Sequence, residues 1–182
     1  MYVFQHGELA VRHVKQEDEG YLHKWMNDPQ ILEFYEGRDR PHDMALIREH
    51  FYTEDETIRC MIELNRAPIG YMQFYEVNRL TLASYGYCAD GKRSFGLDQF
   101  IGEASCWNRG IGQAVIRAMV AELVTNKQAE RIMMDPQAWN LRAIACYERC
   151  GFKKVKLLEA HERHEGEWRD CWLMEYKPER CT

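Results

Sequence analysis

Hydrophobic and polar positions change period along this chain, and each change marks an element. Leu9-Ala10-Val11-Arg12-His13-Val14 alternates residue by residue, the pattern of a strand. Glu17 to Asn27 places Leu22, Trp25 and Met26 on one helical face. Asp28-Pro29 ends that helix, because the residue before proline avoids helical angles. A second helix is predicted from Asp43 to Tyr52. Arg59 to Leu64 and Ile69 to Val77 read as strands joined through Asn65-Arg66 into a hairpin. Residues 80–93 show no clear period and read as loop. Phe95 to Glu103 then reads as a strand, Ala114 to Leu123 as an apolar helix, and Arg131 to Asp135 as a strand stopped by Pro136. Asn140 is placed to cap a helix reaching Cys150, with Gly151 closing it. Phe152 to Leu158 and Trp168 to Tyr176 read as final strands, with the polar stretch Glu159 to Glu167 as a loop between them. An antiparallel hairpin, a strand-helix-strand-helix centre and further strands imply an α+β, or mixed α/β, fold in one domain spanning residues 1–182.

Composition narrows the classes. Hydrophobic residues make up 46% and aromatic residues 12% of the 182, enough for a packed core and too apolar for a disordered chain. The formal net charge of -5 offers no basic footprint for nucleic acid and suits a cationic small molecule. No stretch reaches the length of a membrane span, and the residues from Met1 to His6 lack the pattern of a signal peptide. Seven cysteines with no paired spacing read as free thiols, which fits a reducing, cytoplasmic setting.

The most informative stretch for chemistry is Trp107-Asn108-Arg109-Gly110-Ile111-Gly112, between a predicted strand and a predicted helix. That order leaves backbone N–H groups free at a helix N-terminus, where partial positive charge attracts phosphate. Its two glycines allow close backbone approach, although a simple strand-to-helix turn also contains glycine. The run His161-Glu162-Arg163-His164 has only one residue between Glu and the second His, short of the zinc-protease spacing, so no metal is expected. Cys146 and Cys150, one helical turn apart, read as small apolar groups rather than nucleophiles.

Longer segments carry a specific likeness. Residues 95–103 (FGLDQFIGE), Gly110-Ile111-Gly112, Met134-Asp135-Pro136 and residues 140–152 (NLRAIACYERCGF) resemble the GNAT-superfamily N-acetyltransferases. Within that superfamily they resemble the aminoglycoside 6′-N-acetyltransferases, among them the acetylating half of the bifunctional acetyltransferase–phosphotransferases. Residues 32–39 (LEFYEGRD), Pro68-Ile69-Gly70-Tyr71, His164-Glu165-Gly166, Asp170-Cys171 and residues 173–176 (LMEY) extend the likeness over nearly the whole chain. No kinase-sized segment follows, so only the acetylating half is expected.

The resemblance implies a GNAT-type fold, a central mixed sheet splayed at an acyl-CoA site with flanking helices. It implies acetyl-CoA as co-substrate, an aminoglycoside amine as acceptor and direct attack without a covalent acetyl-enzyme. Trp107, Asn108, Arg109, Gly110, Ile111 and Gly112 would cradle the pyrophosphate. Trp107 stands where the superfamily's loop begins with Gln or Arg, so backbone contacts would dominate there. The pantetheine arm would lie between strands ending near Phe100–Ile101 and near Met134–Asp135. Asp98 would be the general base, or alternatively only a strand end. Tyr147 would contact the cofactor and protonate the departing thiolate, or alternatively pack in the core. Asn140 would cap its helix, contact the cofactor, or both. Asp135 would bind an ammonium group, a role compatible with starting a turn. Tyr35 and Tyr71 would wall the sugar rings, with Trp25 either joining them or, from its apolar helical face, packing in the core. Glu36, Asp39 and Glu103 would form an acidic rim or stand as ordinary surface charges. Competing expectations keep the cofactor and change the acceptor to a protein N-terminus or a polyamine, or make the chain a non-catalytic acyl-CoA-binding module. Monomer and homodimer both fit.

Overall fold

In the computed structural model, which describes residues 1–88 and 90–178, the strands are β1 (Tyr2–His6), β2 (Leu9–His13), β3 (Ile58–Leu64), β4 (Ala67–Glu76), β5 (Ser94–Ile101), β6 (Arg131–Met134), β7 (Lys153–His164) and β8 (Glu167–Tyr176). They form one sheet in the order β1-β2-β3-β4-β5-β6-β8-β7. Every neighbouring pair is antiparallel except β5 and β6. The helices are α1 (Glu19–Trp25), α2 (Pro29–Leu32), α3 (Met44–Tyr52), α4 (Arg79–Tyr85), α5 (Ile111–Asn126) and α6 (Leu141–Arg149). No helix among the described residues is long and apolar enough to cross a membrane.

The sheet buries both faces. On one, Val115, Ile116, Met119 and Leu123 of α5 and Ile144 and Tyr147 of α6 pack against Val11, Ile62, Met72, Phe95 and Leu97. On the other, Leu22 and Trp25 of α1 and Ile47 and Phe51 of α3 pack against Met61, Tyr71 and Phe100. Strand alternation sends Leu97 to the α5 side and Phe100 to the α1 side of the same strand, β5.

Between β5 and β6 the sheet opens. The pair is parallel only from Ser94↔Arg131 to Gly96↔Met133, after which β6 ends and β5 runs on to Ile101. Ser94 and Gly102 both bond to β4 or the residue flanking it, Val77 N–H to Ser94 C=O and Gly102 N–H to Ile69 C=O. Antiparallel alternation therefore turns the backbone groups of Leu97, Gln99 and Ile101 the other way, into the gap.

Several elements correct the sequence reading. Tyr2–His6 is a strand, paired with β2 through a turn at Gly7. The stretch read as loop from residue 80 contains α4, capped by Asn78, whose side chain accepts from Thr81 N–H, and closed by Gly86 at φ 91°. The stretch read as loop from Glu159 to Glu167 is mostly the upper half of the β7–β8 hairpin. Glu165 and Gly166 turn it with φ of 50° and 80°, the pairing that suits the twist of a two-residue hairpin. The strand pattern was hidden because most of β7 is exposed on both faces. Asn65 and Arg66, also both at positive φ, join β3 to β4 as expected. Cys60, Cys88, Cys106, Cys146, Cys150 and Cys171 are free thiols, and Cys181 lies outside the described residues.

Candidate active site

The gap between β5 and β6 opens into a cleft of about 720 Å³. Its walls come from both sheet faces, Asp98 and Phe100 on the α1 side and Leu97 and Tyr147 on the α5–α6 side, so the cleft passes through the sheet. Of the residues singled out from sequence, Tyr35, Glu36, Asp98, Phe100, Ile101, Trp107, Asn108, Gly110, Ile111, Gly112, Asp135, Asn140 and Tyr147 line it.

Asp98 sits half-buried on β5, two residues past the last β5–β6 pair. Gln73 Nε2 donates to its Oδ2 at 2.9 Å, and Gln73 Oε1 in turn accepts from the Tyr71 hydroxyl at 2.8 Å. The tyrosine thus fixes which end of the Gln73 amide faces Asp98. Tyr75 lies alongside, its ring taking the space that a Cβ on residue 96 would need, so any larger residue there would push Tyr75 away. Burial, reinforced by the nearby Asp135 and Glu162 carboxylates and opposed by the Gln73 bond, pushes the Asp98 carboxyl up to about 6.

Asp135 follows the end of β6. Its Oδ2 accepts from the Tyr85 hydroxyl at 3.0 Å and lies 3.1 Å from His161 Nε2, leaving Oδ1 outside both contacts. The carboxylate raises the His161 imidazole above its usual range. Glu162, which sequence reasoning met only inside a discarded zinc pattern, also lines the cleft. Burial raises its carboxyl too. It reaches the cleft because β7 shifts register between Leu158 and Glu162, where Ala160 adopts φ 47°. Glu36, at φ 69°, brings a further carboxylate to the same cleft and pairs with Arg40 at 3.2 Å.

On the opposite side, Gly110 adopts φ 76° and starts α5, a backbone angle that side chains other than glycine's rarely take. Ala114 N–H bonds to Gly110 C=O, so the N–H groups of Ile111, Gly112 and Gln113 precede the first helical bond and stay free for an anion. Trp107 pins this turn by donating its indole N–H to Ile101 C=O at 2.7 Å. The Arg142 guanidinium lies 4.3 Å from the Trp107 ring centroid and 4.6 Å from that of Phe34. Asn140 caps α6 by accepting from Ala143 N–H at 3.2 Å. Burial raises the Tyr147 hydroxyl well above its usual range, which keeps it protonated and able to donate.

Several expectations need correction. Neither Trp25, which is fully buried, nor Asp39 lines the cleft. Tyr71 is fully buried and touches no part of the cleft, so it cannot wall a sugar ring. Glu103 lies outside the cleft, accepting from Trp25 Nε1 at 2.9 Å and from Lys24 Nζ at 2.7 Å. Arg109 is exposed and does not line the cleft. Phe100 lines it from the α1 side, its ring 4.7 Å from that of Tyr35, while its backbone pairs with β4 at Tyr71 rather than facing the gap. Tyr35 itself lines the cleft and is half-buried. The loop that carries it is clasped to the β7–β8 turn, Arg38 Nη2 donating to Glu165 Oε2 at 2.8 Å.

Comparison with known proteins agrees with this geometry. A family model described as an acetyltransferase (GNAT) domain matches residues 14–160. An aminoglycoside N(6′)-acetyltransferase type 1 from Klebsiella pneumoniae is 30% identical over 155 residues, covering 80% of this chain and 74% of the relative. A crystal structure of AAC(6′)-Ib with ribostamycin and coenzyme A superposes with a TM-score of 0.74 at 24% identity, covering 93% of each chain. A spermidine N-acetyltransferase from Vibrio cholerae, solved with CoA and spermine, gives a TM-score of 0.76 at 18% identity over 94% of this chain and 96% of that one. With a splayed β5–β6 pair, a free helix N-terminus beneath it and a matching family model over most of its length, the chain belongs to the GNAT acetyltransferases.

Proposed function

We propose that this protein transfers the acetyl group of acetyl-CoA to the 6′-amine of aminoglycosides, by direct attack with Asp98 as general base. The observation that carries the reading is the cleft through the sheet. It sets a half-buried carboxylate and an acidic rim on one face, and a phenol beside a free helix N-terminus on the other. Acetyl-CoA, when bound, would supply an activated thioester. The chain would hold its pyrophosphate at Ile111, Gly112 and Gln113 N–H, and its amide arm along the β5 backbone groups turned into the gap. Nothing closer than 3.8 Å would meet a Cβ on Gly112, so this side of the turn has room for such a ligand.

An alkyl ammonium with a reference pKa of about 10.4 must lose a proton before it attacks. Moving that proton to a carboxylate at 3.8 is uphill by roughly 9 kcal/mol. Raising Asp98 to about 6 removes roughly 3 kcal/mol of this. Holding amine and thioester in line can supply roughly 7–11 kcal/mol, which makes positioning the larger contribution. Gln73 donates to Oδ2 of Asp98 and the Tyr75 hydroxyl also bonds the carboxylate, so the two hold it in place beside the incoming amine. Asp135 and Glu162 would bind the other ammonium groups, each charge-assisted bond contributing about 1.5–3 kcal/mol.

Two predictions follow from this division of labour. Glu162→Gln is expected to raise the KM for a multiply charged aminoglycoside roughly tenfold. The KM of a monoamine acceptor should hold, while kcat falls slightly and equally for both acceptors because the Glu162 charge no longer helps raise Asp98; steady-state kinetics with both acceptors check this. Tyr147→Phe should slow transfer about tenfold to 10²-fold, with CoA affinity by calorimetry unchanged. A large loss of CoA binding would instead make Tyr147 a packing residue.

The reading as a whole is tested by thiol release from acetyl-CoA with kanamycin, a 6′-hydroxyl analogue, spermidine and an N-terminal peptide as acceptors. Kanamycin alone should give rapid release. Preference for spermidine would favour the polyamine reading, which the acidic rim and the fold of the spermidine enzyme also support. No release with any acceptor would favour a binding module.

A further inference from the structure

The cleft contains a buried polar atom that no group among the described residues satisfies. Gln99 follows Asp98 on β5 and turns to the opposite sheet face, toward α5 and α6. A Cβ built on Gly112 would lie 3.8 Å from Gln99 Nε2 and 3.8 Å from Cys146 Sγ, so the amide forms the floor beneath the glycine turn. Gln99 Oε1 is buried and accepts no hydrogen bond. Buried acceptors are normally paired, and one left unpaired in a cleft calls for a donor from outside the chain.

The surroundings say what kind of donor. The neighbouring backbone groups of Leu97, Gln99 and Ile101 face the same gap, and the Ile101 carbonyl is already taken by the Trp107 indole. A chain of alternating amide N–H and C=O groups matches such a strip, as an added strand would. The Gln99 amide N–H lies toward the Tyr147 hydroxyl, so the same side chain joins the strip to the phenol. We propose that Gln99 Oε1 accepts an amide N–H of the pantetheine arm of CoA, and so positions the arm against Tyr147. This rests on the acyl-CoA reading of the cleft, and not on the identity of the acceptor.

Gln99→Met keeps the length of the side chain and removes the acceptor; Gln99→Leu does so with a different shape. Both are titrated calorimetrically with CoA and with adenosine 3′,5′-bisphosphate, which carries the nucleotide phosphates but no arm. CoA should bind about 3–10-fold more weakly to the variants, with the bisphosphate unchanged. The thermal midpoint of the free protein should hold or rise, since an unpaired buried group has been removed. Unchanged CoA affinity, or equal weakening of both ligands, overturns the proposal while leaving the acyl-CoA reading in place. Wild-type protein that binds neither ligand overturns both.

Discussion

Replacing Asp98 with asparagine is expected to lower kcat for kanamycin-like acceptors about 10²–10⁴-fold, the usual span for losing a general base. Asparagine keeps the shape and the Gln73 contact, so acetyl-CoA affinity should be unchanged. The wild-type rate should rise with pH through about 6 and then level, because only the ionised carboxylate can take a proton and burial delays its ionisation to that value. In the asparagine variant that limb should vanish. Stability gives a second, opposite readout. A carboxyl whose pKa is raised on folding favours the fold when protonated and costs stability once ionised. The wild type should therefore lose stability as pH rises through about 6, and the variant should unfold at a higher temperature than wild type at pH 8 but not at pH 3. Rates near wild type in Asp98→Asn would remove this residue from the mechanism.

The second large effect lies far from the cleft. Arg12 on β2 is buried and bonds Asp18 at 2.7 Å and Glu63 at 2.6 Å, and both carboxylates are buried as well. Arg12→Ala would strand two carboxylates away from water. It should destabilise the protein by about 3–5 kcal/mol in denaturant titrations, the usual cost of breaking a buried ion pair from one side. Replacing all three residues with apolar ones of similar volume should cost far less, because the desolvation of every charge is then avoided. A loss for Arg12→Ala within about 1 kcal/mol of zero would mean that the charges are hydrated in solution.

The parts of this molecule that follow a strict period were legible from sequence. The β3–β4 hairpin, the strand bearing Asp98, and the helix capped by Asn140 all announce themselves through alternation or caps. α4 escaped because it buries no residue fully and only Leu82 and Tyr85 pack against the core, too short a stripe to read, although Asn78 and Gly86 bracket it with good caps. The upper part of β7 escaped because a projecting hairpin needs no apolar face, and Glu162 was lost with it. Tyr71 was misplaced for a different reason. A tyrosine on a central strand can face either side, and only the pairing with β5 shows that this one packs beneath Phe100 and reaches the site through Gln73. Gln99 escaped because nothing in a sequence distinguishes a satisfied amide from an orphaned one.

The Arg38–Glu165 clasp joins two segments that meet nowhere else in chain order, the loop after α2 and the tip of the β7–β8 hairpin. The first of them carries Tyr35 and Glu36 to the cleft, and neither belongs to the turn that starts α5. Lengthening, shortening or recharging that hairpin would therefore move Tyr35 and Glu36 together while leaving the grip on the acetyl donor alone. Under the proposed function, acceptor choice could then be retuned by editing one surface protrusion.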